Sequence, residues 1–329
     1  MAEHIVIYGA GAIGATIGGR LHMAGYAVTL IARGRHGEVL AQEGLTLVAP
    51  DGEHALRLPT VTGPADVPWA QAPPSATAVL LCMKSQHTEG ALRDLAAVAP
   101  AGVMVACVQN GVANERMALR YFQRVVATVV NLPATHLDPG VVVTHAAGRG
   151  GILDSGIYPH GNDAGVTALT DAFSEAGFSA RPDPAVMRFK YAKLLMNLGN
   201  ALQAGVDPGE DTAELGREAR REALACYAAA GIDCATREEV RERHRDTYRM
   251  VGIEGYPRAG GSSWQSMSRG TGDIETEFLN GEISLLGRLH GVPTPVNDAC
   301  VRMARALVAH GAGPGQFTVA QLRALGAGP

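Results

Sequence analysis

One stretch, "HIVIYGAGAIGATIGGRLHMAGYAVTLIARGR" at residues 4–35, constrains the fold more than any other. A short apolar run ends at Gly9, a helical pattern follows Gly14, and a second apolar run ends near Ile31. Glycines spaced as Gly9, Gly11 and Gly14 between a strand and a helix belong to a β-α-β unit that binds a dinucleotide. The first permits a tight turn, the second lets backbone approach a pyrophosphate, and the third lets helix and strand pack closely. Ala12 and Ile13 open the helix beside Gly14, where unpaired amides and the helix dipole favour an anion. An acid at the end of the second strand would bond a ribose 2′-hydroxyl, yet Arg33 stands there, 19 residues after Gly14, with Arg35 close behind. A cation at that point suits a 2′-phosphate, so the predicted cofactor is NADP(H), held through Arg33. Two solvated loop arginines are the plain alternative.

The first 110 residues alternate apolar runs ("AVTLIA", "LTLVA", "AVLLCM", "VMVACV") with helical patterns. Strands this apolar belong in a parallel sheet covered on both faces. Further β-rich pieces over 125–154 are expected to extend that sheet with antiparallel strands, and "DAGVTALTDAFSEAGF" reads as a helix. With 329 residues the chain exceeds what one core usually serves. A boundary is expected in the proline-rich "SARPDP", near Asp183. The predicted fold is therefore α/β, with a Rossmann-type, doubly wound, mostly parallel domain over 1–183 and an all-α domain over 184–329.

A net charge of −4 favours neither nucleic acid nor an anionic membrane. No apolar run is long enough to span a bilayer, and Met1 leads into the first strand without a basic leader, so a cytoplasmic location is expected. Cys82, Cys107, Cys226, Cys234 and Cys300 are scattered without a CxxC pair and read as buried thiols. The histidines lack ligand spacing, so no metal is predicted.

Two strands end in polar residues on the carboxyl side, where open α/β sheets bind ligands: Lys84 after "VLLCM" and Asn110 in "QNG". Each is equally readable as a solvated terminus or a turn. In "FKYAKLLMNLGNAL", Lys193, Asn197 and Asn200 follow at i, i+4 and i+7, which places them on one face of a continuous helix. Their neighbours Leu194, Leu195, Met196 and Leu198 are apolar, so the amides are better suited to a polar site than to bulk water. Ser262 and Ser263 stand in a glycine-rich loop suited to bonding a carboxylate, and Glu275 is expected to open a helix, where it would also favour the helix dipole.

Taken in order, "GAGAIG", Lys84, "QNG", "KLLMN", "SS" and "IETEFLNG...HGVPTPVN" resemble the ketopantoate reductase family over nearly the whole chain. The resemblance implies NADPH-dependent reduction of a 2-oxo acid, 2-dehydropantoate, to a 2-hydroxy acid. It assigns Lys193 as general acid and Glu275 as its acidic partner. Asn110 and Asn197 become pocket amides, Ser263 a carboxylate donor and Lys84 a cofactor-side lysine; a homodimer is compatible with it. The chain departs from the pattern at Tyr191, often tryptophan, and at Ala201, usually a second pocket asparagine that Asn200 would replace. Ile274 and Glu277 also differ from the usual threonine and aspartate. Alternatives are a reductase of the same fold acting on another 2-oxo acid, or a non-catalytic NADP(H) sensor. The presence of both Lys193 and Glu275 disfavours the sensor.

Overall fold

The computed structural model describes residues 3–136, 138–256, 274–311 and 313–326. It divides into two compact units. The first comprises residues 1–110, 114–190 and 237–258; the second comprises 111–113, 191–236 and 259–329.

In the first unit, the opening run forms β1 (His4–Tyr8), α1 (Ala12–Met23) and β2 (Ala27–Ile31), followed by α2 (Gly34–Gln42). Then come β3 (Leu45–Ala49), β4 (Gly52–Leu56), β5 (Thr60–Val61), β6 (Thr77–Leu81), α3 (Thr88–Ala96), β7 (Met104–Cys107), α4 (Asn114–Ala118) and β8 (Val125–Thr128). The main sheet runs β12-β8-β7-β6-β1-β2-β5, where β12 is Ser155–Ile157. Every pairing in it is parallel except that of β12 with β8. The strand order reverses between β1 and β6, and such a reversal opens a crevice at the strands' carboxyl ends.

Side chains alternate along each strand, so both faces are covered. Ile5 and Ile7 pack with Ile17 and Leu21 of α1 and with Val166, Leu169 and Phe173 of α5 (Ala164–Glu175). Val6, Tyr8, Val79 and Val105 instead meet Leu92 and Leu95 of α3. The helix expected after Asp163 is thus α5, and the Asp163 carboxylate caps it by accepting the Val166 amide at 2.8 Å.

The single sheet expected from the sequence is in fact divided. The runs "LTLVA" and "VVVT" do not join the main sheet. β3 pairs instead with β4 and, in parallel, with β10 (Val141–Thr144), which carries β9 (Ala134–His136) on its other side. Helix α1 is the reason two sheets fit. A Cβ on Gly18 would press on Leu30 and Ile7 of the main sheet, and one on Gly19 would press on Leu45 and Leu56 of the small one. With two hydrogens in place of side chains, α1 is packed between them.

Nor is "SARPDP" a free linker. Ser179 donates its amide to Gly151 O at 2.8 Å, and Asp183 donates to Ser155 O at 2.8 Å, so the stretch lies paired along 151–155 with its prolines where no donor is needed. The boundary between units falls at Lys190, inside α6 (Val186–Asn197). Residues 237–258 also belong to the first unit rather than to the helical half. Their helix (Arg237–His244) and strand β13 (Tyr248–Met250) dock there, β13 pairing with β11 (Ala146–Gly148). Arg243 places Nε and Nη2 at 2.5 and 2.6 Å from the carboxylate of Asp154, which is 3% exposed.

The second unit is helical. It takes the end of α6, α7 (Gly199–Gly205), α8 (Ala213–Ala230) and the helices Asn280–His290, Pro295–Ala309 and Val319–Gly326. Among the described residues, no helix is long and apolar enough to cross a membrane.

Arg243→Ala leaves the buried Asp154 carboxylate only the Arg181 amide at 3.1 Å and the more distant Arg181 guanidinium at 3.6 Å, and removing one partner of a buried ion pair typically costs about 3 kcal/mol. We expect urea unfolding of that variant, followed by circular dichroism, to show this loss of stability; a midpoint equal to wild type would mean that the Asp154 contact does not secure 237–258.

Candidate active site

At the carboxyl edge of the main sheet, the ends of β1, β2, β6 and β7 bring several of the expected residues together. Gly9 follows β1 with φ +98°, and a Cβ there would lie 2.7 Å from the Met83 amide nitrogen beyond β6. A Cβ on Gly14 would collide with Gly9 O, whereas one on Gly11 would meet nothing within 4 Å. The N-terminus of α1 carries no side-chain cap and no acid in its first turn. The amides over Ala12 and Ile13 therefore remain available to an anion, and the open face at Gly11 lets one approach. These residues fit the pyrophosphate of a dinucleotide.

The loop is held from outside. Gly9 and Ala10 donate their amides to Ile31 O, and His36 Nε2 lies 2.7 Å from Ala10 O. Since His36 Nδ1 accepts the Gly140 amide at 2.9 Å, the ring is the neutral tautomer protonated at Nε2. Arg33 precedes α2, exposed, with Nη2 at 3.2 Å from the Tyr8 hydroxyl and 3.4 Å from Asp94. Burial pushes the Tyr8 hydroxyl pKa up, and the Arg33 charge opposes that shift.

Lys84 is half-buried and opens the turn Ser85–His87. Next to it, Gln109 donates Nε2 to Met83 O and to Thr88 Oγ1, both at 2.8 Å. Thr88 in turn donates to Asn114 Oδ1, and Asn114 Nδ2 donates to Ser85 Oγ and to Asn110 O at 3.0 Å. This buried chain of amides and hydroxyls fixes the ends of β6 and β7, and with them Lys84 and Asn110, relative to one another.

The second unit holds the other set. Lys193 and Asn197 lie on α6, but the expected single helix is interrupted at Leu198, and Asn200 falls on α7. The Leu198 carbonyl is engaged from outside the helix by Asn280 Nδ2 at 3.1 Å. Asn280 also donates to Asn297 Oδ1, whose own Nδ2 reaches Ala219 O and Glu222. Glu222 accepts the amides of Val296 and Asn297, capping the last long helix. The two asparagines of "LNG" and "PVN" are thus internal ties. Glu275 is 9% exposed and begins a 3-10 turn, Glu275–Phe278, rather than the helix expected there. Because Asn280 follows that turn closely, its bond to Leu198 tethers the Glu275 segment to the end of α6. Asn197 Nδ2 is buried without an acceptor among the described residues. Ser262 and Ser263 lie outside the described residues.

One pair was not foreseen from sequence. Lys190, 3% exposed, places Nζ 2.6 Å from Oε1 of the fully buried Glu115. Of 28 lysines and arginines only Lys84, Lys190 and Lys193 are lysine, and that scarcity was the available signal. Burial pushes up the thiol pKa of nearby Cys107, and pushes that of Cys300 up to about 12, so neither presents a thiolate.

Burial lowers the His36 pKa from 6.5, the neutral ring being required by the Gly140 bond. Below that pH the unfolded chain binds the proton more readily, so His36 stability is present above pH 6.5 and lost as pH falls through the lower folded value. His36→Leu should flatten the fall of the urea midpoint as pH drops below 6.5. An unchanged slope would remove His36 from the acid sensitivity of the fold.

Comparison with known proteins bears on the family and the fold. Residues 5–156 match the family described as ketopantoate reductase PanE/ApbA, and residues 185–308 match its C-terminal counterpart. A 2-dehydropantoate 2-reductase of Pyrococcus horikoshii is 27% identical over 322 residues, covering 94% of this chain and 99% of its own. Its Archaeoglobus fulgidus counterpart is 28% identical, covering 93% and 98%. Among solved structures, a PanE/ApbA family ketopantoate reductase from Ralstonia eutropha superposes with a TM-score of 0.76 at 27% identity, over 94% of this chain and 99% of that one. D-mandelate dehydrogenase, solved with NADH and anilino(oxo)acetate, shares the fold with a TM-score of 0.77 at 22% identity, over 94% and 99%. With both family segments matched in order over most of its length, this chain belongs to the ketopantoate reductase family of oxidoreductases.

Proposed function

We propose that this oxidoreductase reduces a 2-oxo acid, 2-dehydropantoate, to its 2-hydroxy acid with NADPH. The observation that carries the reading is the uncapped N-terminus of α1 above Gly9 and Gly11, at the reversal of strand order. Gly9, Gly11, Ala12, Ile13 and Gly14 would hold the pyrophosphate, with Lys84 and Asn110 on the neighbouring strand ends. Arg33 would hold the 2′-phosphate, and its long contact to Asp94 leaves the guanidinium exposed to a ligand.

A reduced nicotinamide dinucleotide, when bound, supplies the hydride. Lys193 donates a proton to the oxygen that becomes the alkoxide as the keto carbon is reduced. An ammonium with an ordinary pKa near 10.4 is charged at neutral pH and suited to this transfer. The Glu275 carboxylate helps keep Lys193 charged and orients substrate. Asn197 contributes its buried Nδ2 as a donor to a substrate oxygen, which explains an otherwise unfilled donor. Asn200, on the next helix, and Ser263 complete the substrate contacts. A homodimer and a cytoplasmic location accompany this reading.

Loss of the charged contact in Arg33→Ala should raise the NADPH Michaelis constant about tenfold and leave that for NADH nearly unaltered; equal losses with both would refute the phosphate contact. Lys193→Ala should lower kcat at least a hundredfold, in the range of general acid catalysis, while NADPH still binds by fluorescence titration. Wild-type turnover in that variant would remove the lysine from the chemistry. Assayed on a panel of 2-oxo acids, the wild-type protein should prefer 2-dehydropantoate; turnover of others but not of it would move the substrate and leave the reaction standing.

A further inference from the structure

The chain uses arginine for nearly all of its positive charge, yet places a lysine in its core. The Lys190 ammonium contacts Glu115 Oε1 at 2.6 Å and donates to Gln109 O at 2.9 Å and Thr128 O at 3.3 Å. One compact group with three donors thus meets a carboxylate and two carbonyls, an arrangement that a planar guanidinium does not match. Its partners mark the end of β7, the end of β8 and the start of α4. Gln109 directly precedes Asn110, whose carbonyl is held by Asn114 beside Glu115. Lys190 also lies one helical turn before Lys193 on α6.

Stability alone does not account for such a pair. Burying two charges is unfavourable, and apolar replacements of matched volume are often neutral or stabilising. Both Glu115 oxygens lack a well-aligned hydrogen bond among the described residues, so the carboxylate is only partly satisfied. A dry, imperfectly satisfied pair is retained where it sets geometry.

We propose that Lys190 and Glu115 are a positioning pair, fixing the Gln109–Asn110 strand end and the α6 segment that leads to Lys193. Neither residue touches substrate. The inference rests on the roles given above to Asn110 and Lys193. A misplacement on the order of 1 Å can cost about a hundredfold in rate, so such a pair influences turnover without taking part in chemistry.

The test is the charge-neutral double variant Lys190→Met/Glu115→Gln, alongside the conservative Lys190→Arg. Both should show an NADPH dissociation constant within twofold of wild type and kcat at least tenfold lower per folded molecule. The double variant should retain the wild-type melting temperature. Hydrogen exchange at amides 109–114 should accelerate while α1 stays protected. Wild-type kcat in either variant, unaltered exchange at 109–114, or a loss of NADPH affinity equal to the loss of turnover would each overturn the proposal. Were the wild-type protein inactive on every 2-oxo acid, the proposed reaction would fail, while the exchange measurement would still decide whether the pair holds the strand end.

Discussion

A hydrogen at Gly9 in place of a side chain allows the backbone beyond β1 to lie directly against the backbone beyond β6. A Cβ would stand 2.7 Å from the Met83 amide nitrogen, closer than packed atoms tolerate. The reversal of strand order at this point opens the crevice, and the absent side chain leaves it lined by peptide groups. The uncapped end of α1, the exposed Arg33 and the polar strand ends at Lys84 and Asn110 all take their places from that contact. The same economy recurs along α1, where Gly18 and Gly19 admit a sheet on either side.

Polar groups buried within each unit fix the functional side chains. In the first unit, Gln109, Thr88 and Asn114 pass hydrogen bonds from one strand end to the next. In the second, Asn280 and Asn297 bind the broken helix at Leu198 to the turn bearing Glu275. Such networks leave little freedom when fully satisfied, because each unpaired member would sit in a medium of low dielectric. Buried atoms without a hydrogen-bond partner remain among the described residues, at Gln109 Oε1 and Asn280 Oδ1 within these networks and at the Asn197 amide and the Glu115 carboxylate, the last two with a proposed part in binding or alignment.

What the sequence revealed was local. The glycine spacing, the apolar runs around it and the Arg33 position describe neighbours along the chain, so the nucleotide-binding half could be read at once. Pairings between distant segments left no such trace. "LTLVA" and "VVVT" look like any buried strands, and nothing in them says that they pair with one another rather than with β1. At the interruption, the Leu198 carbonyl bonds an amide more than 80 residues away, a contact with no local trace, so "KYAKLLMNLGNAL" reads as one helix. Asn280 and Asn297 were legible as parts of a family pattern, but their structural part was not, because an asparagine tie and a ligand-binding asparagine look alike in a string. Lys190 carries the opposite kind of signal: it stands three residues before Lys193 in a helical pattern, and only its rarity as a lysine distinguishes it.

The return of residues 237–258 to the first unit has a consequence for how this molecule could be divided. Neither half is a single run of chain, so a gene fragment stopping near Asp183 would leave β11 with a bare edge and Asp154 without the close Arg243 guanidinium. A separately expressed first unit would have to include residues 237–258.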